Sequence, residues 1–153
     1  MMFIIGFDHT LVSNILTRSL YWNKLKEKLT LIKETLSITN NKPGALIVSK
    51  AEDTNPNVMA IVWGTIGYIW RKPIFTVLVR PSRYTYELIN KSGEFTANIP
   101  YPSIKKVVMF WGYHNRRELD KFTKLVLTQL PSRSIKTPII LECAINWVQS
   151  YTL

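Results

Sequence analysis

IFTVLVRPSRYTYELINKSGEFTANIP, residues 74–100, changes its hydrophobic pattern twice. Ile74–Val79 is apolar and rich in β-branched residues, which predicts a strand. Ser82 then stands where a helix N-cap would sit. Tyr84, Leu88 and Ile89 follow at helical spacing, and Gly93 is placed to stop the helix in a left-handed conformation. Glu94–Ile99 reads as another strand, ended by Pro100.

The same alternation extends in both directions. Upstream, Asn40–Gly44 is a turn and Ala45–Ser49 a short apolar strand. Ala51–Asn57, with Asp53, Asn55 and Pro56, is a hairpin-like loop before a strand at Val58–Trp63, and Gly64–Pro73 reads as a connection. Downstream, Pro102 suits the first turn of a helix that places Ile104, Val107, Val108 and Trp111 on one face. Asn115 and Glu118 have capping-box spacing. Leu125–Leu127 and Ile139–Val148 complete about six strands. Short strands broken by short helices predict an antiparallel β-barrel with α insertions rather than a doubly wound sheet. Residues 13–36 predict an amphipathic helix, with Leu16, Leu20, Leu25, Leu29, Ile32 and Leu36 inward and Lys24, Lys26, Lys28 and Lys33 outward. Such a helix either packs on its own domain or meets an anionic surface.

Length and composition bound the function. The 153 residues make one domain's worth of chain, 46% hydrophobic and 20% charged. Twenty Lys+Arg against ten Asp+Glu give +10, which favours phosphates, nucleotides, nucleic acid or anionic lipid as partners. Cys143 is alone, so an internal disulfide is excluded and a cytoplasmic location is expected. Its apolar surroundings suggest a buried filler rather than a catalytic thiol. With only His9 and His114 and no CxxC or HExxH, a metal site is not expected. No apolar run approaches the ~20 residues of a membrane span.

The densest polar cluster, Arg80-Pro81-Ser82-Arg83-Tyr84-Thr85, lies at a strand end and a helix start. Backbone N–H groups, the helix dipole, two guanidinium forks and two hydroxyls there suit a phosphate. The alternative for this cluster taken alone is a helix cap with surface arginines. A second cluster, Gly112–Phe122, reads alone as a solvated helix of mixed charge. Asn57–Trp63 suits either plain core or a backbone pressed on a flat ring. No triad, carboxylate pair, GxGxxG or GxxxxGK[ST] is present, so any redox work would need a bound cofactor.

In order and spacing, five segments together resemble the flavin reductase-like family, and within it the flavoredoxin type. Asn57–Trp63 resembles "NVMTIxW", and Arg80–Ile89 resembles "RPSRYTxELI". Ser92–Pro100 resembles "SGEFTVNIP", Gly112–Phe122 "GxxSGRDVDKF" and Pro138–Cys143 "PLIxEC". Trp111 stands where relatives often carry Cys, and Asn115 and Arg116 replace the motif's Ser and Gly.

The resemblance implies an FMN-binding split β-barrel, usually homodimeric, with FMN at the dimer interface. Met59, Ala60, Ile61, Val62 and Trp63 would line the isoalloxazine. Arg83, Tyr84 and Thr85 would hold the phosphate, with Arg80 and Ser82 nearby. Asn98, Ile99 and Pro100 would flank the flavin, and Lys121 would add positive charge. The family pattern continues past the PLIxEC strand whereas this chain stops at Leu153, so a barrel incomplete at its C-terminus is expected. Residues 1–41 would be an N-terminal extension carrying the basic helix, and residues 42–153 the partial flavin domain.

The resemblance also implies an oxidoreductase passing electrons from NAD(P)H or a protein donor to flavin, ferric iron or a redox partner. Two alternatives stand beside it: an inactive truncated remnant of that family, and a basic single-stranded nucleic-acid-binding protein using the interleaved aromatics. No nucleic-acid motif supports the latter.

Overall fold

In a computed structural model of the chain, the structure describes residues 2–6, 26, 27, 29, 30, 32, 33, 35–37, 44–69, 72–104, 108, 109 and 127–150. The strands are β1 (Met2–Gly6), β2 (Ala45–Ser49), β3 (Asn57–Ile61), β4 (Gly64–Ile69), β5 (Lys72–Leu78), β6 (Glu94–Pro100), β7 (Gln129–Leu130), β8 (Ile139–Ile140) and β9 (Cys143–Ser150). One α-helix, α1 (Tyr84–Ser92), separates β5 from β6.

Two antiparallel sheets form the body. One has the order β3-β2-β6-β9 and the other β1-β5-β4, and β7 pairs with β8 as a small ribbon. Among the described residues no ladder joins the two large sheets, so the barrel is open, as a split barrel is. Apolar packing holds them together. Alternate residues of β2, β3, β6 and β9 point inward as Ala45, Ile47, Ile61, Phe95, Ala97, Ile99, Ile145 and Trp147, and meet Phe75, Val77 and Val79 from the opposite sheet. Phe75 stacks on Trp147 across the gap, with ring centroids 5.6 Å apart. Burying two such rings contributes on the order of 2–3 kcal/mol each.

The other face of the four-stranded sheet is buried too. Leu46, Val48 and Val58 lie there under Val108, Leu127, Ile140 and Cys143. This explains why ALIVS is apolar without alternation, since β2 is buried on both faces.

The expected helix over 13–36 is helical at its described positions from 26 to 36 and at 37, and its earlier part lies outside the described residues. Leu29, expected inward, is exposed, whereas Thr35 is buried. The stretch expected as a connection, Gly64–Pro73, is instead β4 and the start of β5, paired from Gly64↔Val77 to Ile69↔Lys72. Pro73 lies within β5 opposite Tyr68 of β4, and the described ladder between β1 and β5 reaches Ile74. Met2–Gly6, read from sequence as part of an extension, forms an antiparallel ladder with β5.

The expected strand Ile139–Val148 is interrupted at Leu141 and Glu142. Leu141 N–H donates to the Thr128 carbonyl at 3.0 Å, and the Thr128 N–H is held by both Glu142 carboxylate oxygens at 3.1 and 3.0 Å. Partial burial pulls the Glu142 pKa upward, but the Thr128 hydrogen bonds outweigh it and the net shift is downward. Of the expected strand Leu125–Leu127, the first two residues lie outside the described residues and Leu127 is not in a strand; the described strand before this turn is Gln129–Leu130.

Candidate functional site

The chain leaves β5 at Leu78 and turns at Arg80–Arg83, where Arg83 N–H donates to the Arg80 carbonyl at 3.0 Å. Pro81 occupies the position of such a turn that favours a preset φ. The turn moves the helix start one residue beyond the sequence expectation. Arg83, not Ser82, is the N-cap, extended at φ −87° and ψ 138°, with no side-chain cap bond. Ser82 lies within the turn, so its hydroxyl does not cap the helix. At the far end Gly93 adopts φ 67° and its N–H donates to the Ile89 carbonyl at 2.8 Å, as expected of that glycine.

The helix start is fixed against β3. Asn57, the first residue of β3, donates from Nδ2 to Thr85 Oγ1 at 2.8 Å. Thr85 is only 2% exposed. Its oxygen is the acceptor in this bond, and among the described residues its own proton has no acceptor. Sequence reasoning left Asn57 out of the site. The available signal was a polar residue of low β propensity directly preceding an apolar strand.

Ser82 and Arg80 are exposed and Arg83 is half-buried. Among the described residues neither guanidinium has an ion-pair partner. Two cations with no ion-pair partner among the described residues therefore flank the N-terminus of a nine-residue helix, where the dipole adds positive potential.

β3 is an edge strand, with β2 on one side and no strand on the other among the described residues. An edge backbone offers donors and acceptors to a flat partner. Met59 is half-buried against the inner core, and Ile61 belongs to that core. Ala60 faces the opposite cluster, Val62 is half-buried, and Trp63 is 61% exposed just past the strand end. Gly44 closes this end. At φ 79°, its position would put a Cβ only 1.7 Å from the Ile61 carbonyl oxygen, so a side chain there would force β3 away from β2.

The structure does not bring Asn98 to the Arg80–Thr85 group as a polar ligand. Asn98 is 0% exposed and its amide is fully used inside the fold. Nδ2 donates to the Leu46 carbonyl at 3.1 Å and to Thr96 Oγ1 at 3.0 Å, and Oδ1 accepts from Ile140 N–H at 3.1 Å. It ties β6 to β2 and to the segment covering the outer face. Ile99 and Pro100 are buried, with Ile99 in the same inner core as Met59 and Ile61. Lys121 and the cluster Gly112–Phe122 lie outside the described residues.

Cys143 is buried, and burial, reinforced by the Glu142 charge, pushes its pKa up to about 12. That removes the nucleophilic thiolate at neutral pH. Among the described residues no cluster of three His, Cys, Asp or Glu side chains is placed to hold a metal, and no helix is long and apolar enough to cross a membrane.

Residues 39–148 match the flavin reductase like domain. A protein of Archaeoglobus fulgidus is 36% identical over 101 residues, covering 66% of this chain and 55% of its own length. Among solved structures, flavoredoxin of Desulfovibrio vulgaris (Miyazaki F) superposes with a TM-score of 0.57 at 31% identity, covering 64% of this chain and 53% of that one. An FMN-binding protein of Thermus thermophilus, solved with bound 1-cyclohex-2-enone, gives a TM-score of 0.58 at 26% identity, covering 68% and 55%. The chain thus spans about half the length of the relatives it matches.

Proposed function

The chain belongs to the flavin reductase like domain family, and from that premise we propose that it is an FMN flavoprotein that relays electrons from NAD(P)H or a protein donor to flavin, ferric iron or a redox partner. The observation that carries this reading is the Asn57–Thr85 hydrogen bond, which sets a cationic helix start beside an open sheet edge.

The donor set fits FMN. The Arg83 and Arg80 guanidinium groups and the Ser82 and Thr85 hydroxyls are the partners a phosphomonoester needs, at a helix N-terminus that already favours an anion. Tyr84 lies in the first helical turn beside them. A phosphomonoester carries close to two negative charges near neutral pH, which the two arginines would balance. The outer side of β3, from Met59 to Trp63, is the surface for the ring system. Backbone groups there meet the ring's polar edge, and the exposed Trp63 indole offers an apolar face. Ile99 and Pro100 of β6 would flank the flavin, and Lys121 would add positive charge near the phosphate, as the family resemblance implies.

Bound FMN supplies the hydride and electron chemistry, so the protein's own tasks are binding, orientation and charge balance. No side chain here is assigned as an acid or base. A homodimer would add a second surface over the open edge of β3. A cytoplasmic setting, consistent with the unpaired Cys143, would supply the reduced donors.

The test is direct. The purified chain is mixed with FMN, passed through a desalting column and its visible spectrum recorded. Retained flavin bands at a ratio approaching one per chain are expected. A colourless protein after repeated FMN loading overturns the reading.

A further inference from the structure

Ser49 is fully buried, and among the described residues its Oγ has no hydrogen-bond partner. A hydroxyl sealed away from solvent without a partner is destabilising, so such an atom calls for an explanation. Its position supplies one. Ser49 pairs directly with Asn57 across the β2–β3 ladder. Alternation from Ala45 and Ile47 on β2, and from Met59 and Ile61 on β3, puts both residues on the inner face, where α1 contributes Ile89 and Tyr86. Directly paired side chains on one face have Cβ atoms about 5 Å apart. The other cross-strand neighbour of Ser49 is Phe95, which offers no polar side-chain atom. The nearest polar side chain by register is therefore Asn57, whose Nδ2 already donates to Thr85.

We propose that Ser49 is a positioning residue that, across one buried water, donates to Asn57 Oδ1 and so fixes which end of that amide faces Thr85. An Asn side chain can be turned end for end within nearly the same volume, and its neighbours decide which end points where. With Oδ1 held on the Ser49 side, Nδ2 must face Thr85. The Thr85 oxygen then accepts, and its proton is directed away from Asn57. The protons run in one sense, from Ser49 through the water to Asn57, then to Thr85 and outward toward the anion. Such a chain polarises in the direction that suits a phosphate. If the amide were reversed, Oδ1 would take the Thr85 proton, and the hydroxyl would present lone pairs to the anion instead.

The last step of this chain rests on the FMN reading above. The Ser49–Asn57 link does not, and the experiment separates the two. Ser49→Ala and Ser49→Cys are prepared, the second keeping the volume filled with only a weak donor. In isotopically labelled protein without flavin, hydrogen exchange of the Asn57 side-chain amide is followed by NMR. Both variants should speed that exchange about tenfold relative to wild type. FMN and riboflavin affinities are then compared, and the wild-type preference for FMN should fall about five- to tenfold in both. Unchanged Asn57 exchange in both variants overturns the proposal, whatever the flavins do. Accelerated exchange in a protein whose wild type shows no preference for FMN over riboflavin sustains the Ser49–Asn57 link and sinks the phosphate assignment instead.

Discussion

Arg83 can be removed without touching the core, so its substitution tests the proposed anion site cleanly. It sits at the N-cap, half-buried and without an ion-pair partner among the described residues, and contributes no side-chain cap bond that Arg83→Ala would destroy. Helix stability should therefore change little. Against a dianionic phosphate the guanidinium would form a charge-assisted hydrogen bond, worth about 1.5–3 kcal/mol net. The group is partly exposed, so solvent screening places the effect toward the lower end of that range. A loss of about 1.5–2 kcal/mol corresponds to roughly a 10- to 30-fold weaker Kd. Riboflavin has no phosphate, and its Kd should move less than about twofold. Arg83→Lys keeps the charge but loses the fork, and should fall between the two. Quenching of flavin fluorescence, titrated at two salt concentrations, reads all of these, and the FMN salt dependence should flatten in Arg83→Ala. Equal losses for FMN and riboflavin would show that Arg83 does not meet the phosphate.

Three further outcomes follow from buried groups. Asn98→Ala leaves the Leu46 carbonyl, Thr96 Oγ1 and Ile140 N–H short of a partner in the interior; it should cost about 3–5 kcal/mol, seen as a lower melting temperature of the flavin-free protein. An unchanged melting temperature would contradict a structural role for that amide. Gly44→Ala meets both a left-handed backbone and the Ile61 carbonyl, and should destabilise the chain by more than about 2 kcal/mol in urea titration, whereas an exposed substitution such as Lys91→Ala should cost less than about 0.5 kcal/mol. Cys143 should resist iodoacetamide in the native state and react only on unfolding. Because its pKa is raised, its contribution is fully present below the ordinary thiol pKa and is lost as pH rises from about 9 to about 12, at no more than about 1.4 kcal/mol per pH unit. Rapid native labelling at neutral pH would contradict that burial.

Elements whose signal is local were legible in the sequence. ALIVS is a strand wherever it is placed, and Gly93 ends α1 because a left-handed residue is needed there and glycine adopts it freely. β4 was not legible. Its glycines and the nearby Pro73 read as a connection, and only pairing with β5, itself central in its sheet, makes Gly64–Ile69 a strand. The same limit governs the site. The Arg80–Thr85 cluster shows its anion chemistry in its residue types. Asn57 does not, because its role is a contact with Thr85, 28 positions away. Asn98 shows the converse: the family resemblance sets it beside the flavin, its residue type alone suits a tied-down strand end as well, and in the fold its amide bonds to Leu46, Thr96 and Ile140.

These two asparagines explain why the charge alone could not identify a site. Asn98 holds the outer face of the sheet together and faces the segment that covers it. Asn57 stands on the inner face at the other end of the sheet's short strands, where β3 has no further strand beside it and α1 begins. A net charge of +10 spread over a surface attracts many anions weakly and selects none. Selection needs the cations held at a fixed distance from a surface that recognises the rest of the ligand. The Asn57–Thr85 bond provides that fixed distance, coupling Arg80 and Arg83 to the edge from Met59 to Trp63. Breaking it by Asn57→Leu should therefore weaken FMN more than the loss of one hydrogen bond, because the phosphate grip and the ring surface would no longer be in register. In a double-mutant cycle with Arg83→Ala, the loss in the double variant should fall short of the sum of the two single losses by about 1 kcal/mol. Strict additivity would show that helix start and strand edge act on the ligand independently, and would undo the argument that they form one site.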